Sequence, residues 1–483
     1  MKINPAFGLA AILILTLSFR LYLAFSSPYF DSDLAYFNAR IIENIIETNK
    51  PFSFDPLSYG SRELIHPQLF HYLMSFFSSI PEFMKVLPEL FILPLTIIAY
   101  FIAKKITRDP LASLITALLV SFSPALLFNT SNQVSVYTLA IPLFYLMLFC
   151  LMDIKAGKNL YIFIAASFLL PLIHPISFLF ACSILFYLIL SGSESLEVES
   201  NTKEAVLFSF FLILLINFIL FKKAFLLYGL SIIQQNIPPQ LLAQHFLPPN
   251  IFNSLYLIGL IPLILGSIGV FQGVFKQKDK NIILLTSTLL TIMLLLLLKF
   301  IDLSTGLLFF SISLTLIASV AISRIIKYLE ITRIHRIKNL MIALGIFLII
   351  AIIIIPAFFS TSKIITPFEI STLQSLARDA APGATILAPV SQGHLVAYFT
   401  QRKNVADSNF ILAPSPEQRL QDIKIAYTTI SASKALEIFH KYNIQYLFVS
   451  KEAQRVYGVS RPSYLDDETC FKQRKSTVYE VKC

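Results

Sequence analysis

The sequence predicts an α-helical polytopic membrane protein that carries a small α/β domain outside the membrane at its C-terminal end. Three observations predict it. Of 483 residues, 56% are hydrophobic and only 14% are charged, a balance foreign to soluble globular chains. Apolar runs such as 282–298 and 341–358 are long enough to cross a hydrocarbon core of roughly 30 Å at about 1.5 Å per residue. From about residue 360 the composition turns soluble, with short apolar runs set between polar, turn-rich stretches. Disorder, fibrous repeats and soluble enzymes are thereby excluded. The net charge of +10 would suggest nucleic acid in a soluble protein. Here the basic residues punctuate apolar segments, the pattern of membrane topology, so no nucleic-acid partner is expected.

In chain order, hydropathy marks spans near 6–26, 86–103, 111–128, 135–152, 159–173, 175–191, 205–222, 251–273, 282–299, 303–323 and 340–358, about eleven in all. The first lacks a small-residue cleavage site and reads as an uncleaved helix. Segment 65–80 is apolar but short, carries His66 and His71, and reads as a helix lying against the outer interface. Basic residues concentrate in 104–108, 153–158, 276–280 and 324–338, which orients the N-terminus to the cytoplasm and the C-terminus outside. The outer pieces are then a first loop, 27–85, a loop at 223–250, and the tail. The chain divides into a membrane part, 1–359, and an outer part, 360–483. In the tail, 370–379, 416–426 and 432–442 suit helices, 385–388 and 444–449 strands, and 471–476 with 477–482 a hairpin. Cys470 and Cys483 flank that hairpin, where a disulfide is compatible with an outer location.

The first outer loop opens on Asp31-Ser32-Asp33 and runs on through Phe37-Asn38-Ala39-Arg40. Two carboxylates two residues apart at a membrane surface can share a divalent cation, Mg²⁺ or Mn²⁺, against a phosphate leaving group. Either could instead cap the following helix. Arg40, His66 and His71 share this loop and could contact a lipid-linked phosphate, although Arg40 equally suits an interfacial snorkelling role. His174, before Pro175, reads as a structural histidine.

Asp31-Ser32-Asp33, Phe37-Asn38-Ala39-Arg40 and His66-Pro67-Gln68-Leu69-Phe70-His71 together resemble the polyprenyl-phosphate-sugar-dependent glycosyltransferases of GT-C fold, above all the catalytic subunit of oligosaccharyltransferase. Where that family carries a second acidic motif, this chain has Ser135 and Tyr137. Where it carries Ser/Thr-x-x-Glu, this chain has Ser231-Ile232-Ile233-Gln234. In the tail, Ser391-Gln392-Gly393-His394 stands for a Trp-Trp-Asp-Tyr-Gly motif, in a chain without tryptophan, and Val405-Ala406-Asp407-Ser408-Asn409 for Val/Leu-Ala-Asp-x-Asn. The resemblance implies a GT-C-like membrane glycosyltransferase that moves a sugar from a polyprenyl-(di)phosphate carrier to an acceptor on the outer face. It implies Asp33 and Asp31 as catalytic or metal-binding carboxylates, and Arg40, His66, His71, Gln234, Ser391, Gln392 and Gly393 as substrate-binding residues. A metal-free base mechanism and a Mg²⁺- or Mn²⁺-assisted one both remain open, as do a non-catalytic relative that binds the carrier or a partner enzyme, and a transporter. Membrane lipids are the other expected partners.

Overall fold

The computed structural model describes residues 4–77, 82–155, 157–234, 237–247, 250–331 and 366–483, Gln234 by its backbone alone. The predicted span 340–358, and the end of the basic loop 324–338, lie outside them. Among the described residues, Pro5–Phe25, Phe83–Thr107, Ser200–Ile233, Leu260–Gln277, Lys280–Leu297 and Leu303–Ile331 are long and apolar enough to cross a membrane; Pro110–Ser121 and Pro124–Thr130, bent by 42°, make a seventh if taken together. Tyr137–Leu151, Gly157–Ile173 and Ser177–Ser193 are apolar helices at predicted places, but shorter. At about 1.5 Å per residue they fall below the roughly 30 Å of a full crossing. Among the described residues, the count of about eleven is therefore not reached on length.

Local chemistry explains where these helices start. Asp109 and Asp279 accept backbone N–H groups at the starts of Pro110–Ser121 and Lys280–Leu297, supplying partners that a helix N-terminus otherwise lacks. Helix Leu303–Ile331 is free of charge and largely buried in the bundle as far as Ser323, as a helix without a polar face must be. Leu260–Val270 reaches it closely because Gly269 carries no side chain: a Cβ there would lie 2.5 Å from the Ile317 carbonyl oxygen. The predicted interface helix appears as Leu69–Phe77, with Phe76 and Phe77 exposed.

The tail builds a five-stranded sheet in the order Lys403–Asn404, Thr385–Leu387, Ile444–Phe448, Val478–Val481, Phe471–Lys475. The first three strands are parallel and the last two antiparallel. Successive side chains of a strand face opposite ways: Ile386, Tyr446 and Phe448 join one core with helix Pro367–Asp379, whereas Leu387 and Leu447 join another with Pro416–Thr428 and Ala432–Lys441. Burial on both faces is why these strands read as continuous apolar runs. Helices Gly393–Thr400 and Lys451–Tyr457 were not foreseen. Cys470 and Cys483 are disulfide-bonded. Tyr36 of the first long loop is part of the tail's core, so the two pieces share a seam.

Candidate active site

The seam begins where the first span ends. Ser32, not Asp31 or Asp33, caps helix Asp33–Thr48: its hydroxyl accepts the Ala35 N–H at 3.2 Å. The cap reading of the two aspartates is thus corrected, and Asp33 is left as the first residue of the helix. Its Oδ1 accepts the Leu395 N–H at 2.7 Å, at the tip of tail helix Gly393–Thr400, where a carboxylate also suits the helix dipole. Its Oδ2 is shielded from solvent and has no partner. Burial pushes the Asp33 carboxyl well above its ordinary value, with the Asp407 charge adding to the rise and the Leu395 and His394 amides opposing it. The Asp31 N–H donates to Asn132 O at 3.3 Å.

One turn along the same helix, the Phe37 ring lies 4.6 Å from that of His394 and 5.7 Å from that of His66, and His66 lies 5.4 Å from His71. His71 Nε2 pairs with Asn38 Oδ1 at 3.0 Å. Neither ring nitrogen of His66 or His394 has a hydrogen-bond partner. Burial lowers both imidazoles to about 4 and lowers His71 also, so all are neutral at pH 7. His394 Nε2 stands 3.5 Å from Asp407 Oδ1, beyond a well-formed hydrogen bond. The Ser391 hydroxyl and both amide atoms of Gln392 are also buried without partners. Each such group costs about 1–3 kcal/mol, and several share this seam.

Gly393 sits under Ala406 and Asp407: a Cβ would lie 2.3 Å from the Ala406 carbonyl oxygen and 2.6 Å from Asp407 Cβ. Gly393→Ala should therefore destabilise the protein by about 1–3 kcal/mol, read as a lower thermal midpoint. An unchanged midpoint would mean that the seam yields without cost. The backbone of Gln234 ends the turn Gly229–Gln234 after helix Ser200–Tyr228; its side chain lies outside the described residues.

Arg40 is already engaged, its Nη2 donating to Asp55 Oδ1 at 2.5 Å, and Asp55 Oδ1 also accepts the Leu57 and Ser58 N–H groups. The ribbon Phe54–Asp55 with Arg62–Glu63 carries the lock between loop and tail. Arg62 Nη2 donates to Asp407 Oδ1 at 3.2 Å, and Nε to the Ser58 hydroxyl at 2.7 Å. Asp407 Oδ2 accepts from Ser58 at 2.6 Å and from Asn404 at 3.2 Å. Tyr59, held in the left-handed region at φ 52°, donates from its hydroxyl to Asp407 O at 2.9 Å. Burial alone would raise the Asp407 carboxyl; His394, Arg62 and the Ser58 hydroxyl together bring it below its ordinary value.

A second network fixes the start of the first loop. Arg20 Nε donates to Glu89 Oε2 at 2.7 Å and Nη2 to Thr130 Oγ1 at 2.9 Å, while Glu89 Oε1 accepts the Asn132 N–H at 2.9 Å. The Asn132 amide then donates to Tyr29 O, and Ser32 to Gln133 Oε1. Both charged residues are fully buried. Sequence reasoning passed over this pair, although an arginine and a glutamate inside predicted spans were the available signal. Tyr137 donates to or accepts from Thr305 at 2.6 Å. His174 is structural, accepting the Ile176 N–H on Nδ1 at 3.0 Å.

The residues do not fit a Mg²⁺ or Mn²⁺ site. Such cations are held through several oxygen ligands, but Asp33 has committed one oxygen to Leu395, and Ser135 and Tyr137 bring no carboxylate. Among the described residues, no three His, Cys, Asp or Glu side chains form a metal-binding group. A cleft of about 670 Å³ beside the C-terminal end of helix Pro5–Phe25 is bordered by Phe25, Phe30, Lys85, Tyr398 and the acidic Glu43 and Glu47. Its acidic border disfavours a phosphate.

No known protein family matches the sequence, and no curated protein does. Solved structures do match. The archaeal oligosaccharyltransferase AglB from Archaeoglobus fulgidus, in complex with an inhibitory peptide and a dolichol-phosphate, superposes with a TM-score of 0.68 at 12% identity, over 98% of this chain and 74% of that chain. The apo form of that organism's oligosaccharyltransferase gives 0.64 at 12% identity, over 91% and 69%. Its complex with Zn and sulfate gives 0.63 at 12% identity, over 95% and 71%. The chain has the fold of these GT-C glycosyltransferases, as its local motifs implied.

Proposed function

We propose that this protein is a membrane glycosyltransferase that transfers a sugar or glycan from a polyprenyl-(di)phosphate carrier to an acceptor on the outer face. The observation that carries the proposal is Asp33 Oδ2, a shielded carboxylate oxygen without a partner, set where the first outer loop meets the tail. Asp33 acts as the base that takes the acceptor proton, and the helix tip at Leu395 holds it in place. No step is assigned to a metal ion. The fold likeness to a protein bound to dolichol-phosphate supports the choice of carrier. The test is a mass-spectrometric assay of purified protein with a polyprenyl-phosphate-linked sugar, in which the donor should be consumed; an intact donor with every acceptor offered would defeat the reading.

A second reading, a non-catalytic relative that binds the carrier or a partner enzyme, is favoured by the engagement of Arg40 with Asp55. That pairing sets part of the Arg40 charge against a carboxylate, although Nη1 keeps no hydrogen-bond partner. The first reading keeps the lead because a structural role for Asp33 needs only the oxygen it spends on Leu395.

The N-terminus faces the cytoplasm and the tail faces outside in this proposal, with the division at 359/360. A cysteine placed at Ser408 should label from outside intact cells, and one placed at Lys278 should not. The reverse pattern would overturn the orientation. Because Arg62 in the first loop neutralises Asp407 in the tail, the two parts depend on each other for stability.

A further inference from the structure

Asp33 is held by both parts of the chain. From the tail, the Leu395 N–H fixes its Oδ1. From the bundle, residues 132–134 fix the backbone on either side of it. The Asp31 N–H donates to Asn132 O at 3.3 Å, and the Asn132 amide donates to Tyr29 O at 2.9 Å. The Ser32 hydroxyl donates to Gln133 Oε1 at 3.1 Å, and the Asn38 amide to Val134 O at 2.7 Å. Asn132 itself stands in the left-handed region at φ 52°, which asparagine tolerates better than most residues.

Asn132 is held in turn by the buried pair of Arg20 and Glu89. Glu89 Oε1 accepts the Asn132 N–H at 2.9 Å while its Oε2 takes Arg20 Nε at 2.7 Å, and Arg20 Nη2 reaches Thr130. One turn before Glu89, Lys85 Nζ donates to the carbonyl oxygens of Ala24 and Ser27, so the same helix also fixes the end of Pro5–Phe25. Stability alone does not call for this pair. The two side chains are 1% and 0% exposed inside apolar helices, where charge is costly, and apolar residues of similar volume often hold such helices as well or better. Arg20 Nη1 and the Thr16 hydroxyl, one turn earlier, are buried without partners, which adds to the cost. Hydrogen-bonded charges supply direction, which apolar packing does not. A base must lie within hydrogen-bond reach of the proton it takes, and a misplacement of about 1 Å can cost about a hundredfold in rate. Resting on the transferase reading, we propose that Arg20 and Glu89 are positioning residues for the reaction. Through Asn132 they set where helix Asp33–Thr48 begins, and so where Asp33 Oδ2 stands.

The donor-consumption assay is run on full-length protein in lipid nanodiscs with a polyprenyl-phosphate-linked hexose, and hydrogen exchange of the same samples supplies a readout that needs no turnover. Arg20→Met with Glu89→Leu removes both charges together, so none is stranded and the fold should survive, seen as a cooperative thermal transition. Below that transition kcat should fall about 10–100-fold. The donor KM should stay within about twofold of the parent's, because the loss falls on the chemical step and not on donor binding. Amide exchange should quicken in 29–38 and 130–134 and keep the parent's rate in helices Lys280–Leu297 and Leu303–Ile331. Asn132→Gly leaves the charges paired and the left-handed turn unstrained, and should lower kcat about threefold or more; it decides the matter where the double variant does not fold. Parental kcat in both folded variants, or exchange that quickens evenly across the helices, would overturn the positioning role and leave the transferase standing. A parent that consumes no donor would remove the transferase reading and this role with it.

Discussion

Asp33→Asn is expected to lower sugar transfer by about two orders of magnitude or more, the usual cost of removing a general base, while protein level and thermal midpoint stay close to those of the parent. The second half of that expectation comes from the geometry. The Leu395 N–H needs an oxygen acceptor at Oδ1, and the asparagine side chain still offers one. Only the basic oxygen, Oδ2, is replaced. Because burial raises the Asp33 carboxyl above its ordinary value, the parent's kcat/KM should rise with pH through an apparent pKa above the usual aspartate range, as the base loses its proton. That acidic limb should be missing from whatever activity the variant retains. Transfer within a few-fold of the parent in Asp33→Asn, and again in the Asp31→Asn, Asp33→Asn double variant, would leave Asp33 with only its structural bond to Leu395.

Asp407→Ala should have the largest effect on stability. It removes the partner of a buried guanidinium and leaves Arg62, Ser58, Asn404 and the Asn409 N–H with fewer acceptors. Breaking one side of a buried ion pair typically costs about 3–5 kcal/mol. The loss should appear in denaturant unfolding and as faster limited proteolysis between loop and tail. Replacing both partners, Arg62→Met with Asp407→Leu, should cost less than Asp407→Ala alone, because no charge is then stranded. A double variant worse than the single one would show that the hydrogen bonds, and not the buried charge, hold the seam. The pH dependence has a defined sign. The folded carboxyl lies below its ordinary value, so its contribution is fully present above the unfolded aspartate range and is lost as pH falls through the folded value.

The membrane character, the approximate places of the apolar helices, the long first loop and most of the tail's helices and strands were legible in the sequence. Each depends on hydropathy and periodicity within a few consecutive residues, and a local signal survives without the rest of the chain. Legibility failed where length decided, as in Tyr137–Leu151, Gly157–Ile173 and Ser177–Ser193, and where a cap could be any of three adjacent polar residues. The motif at Asp31-Ser32-Asp33 drew attention to the right loop but not to the use of each oxygen. That use is set by Leu395, 362 positions away, just as the partner of Ser58 is set by Asp407, 349 positions away. Arg20 and Glu89 likewise read as isolated charges in apolar runs until the fold brings them to 2.7 Å. Composition and pattern alone determined that this is a helical membrane protein with an α/β tail. Which polar atoms are paired, and which are left open around Asp33, was decided only by the tertiary structure. Hydrogen bonds and ion pairs act over about 3–4 Å, and residues hundreds of positions apart come that close only when helices and sheet have packed.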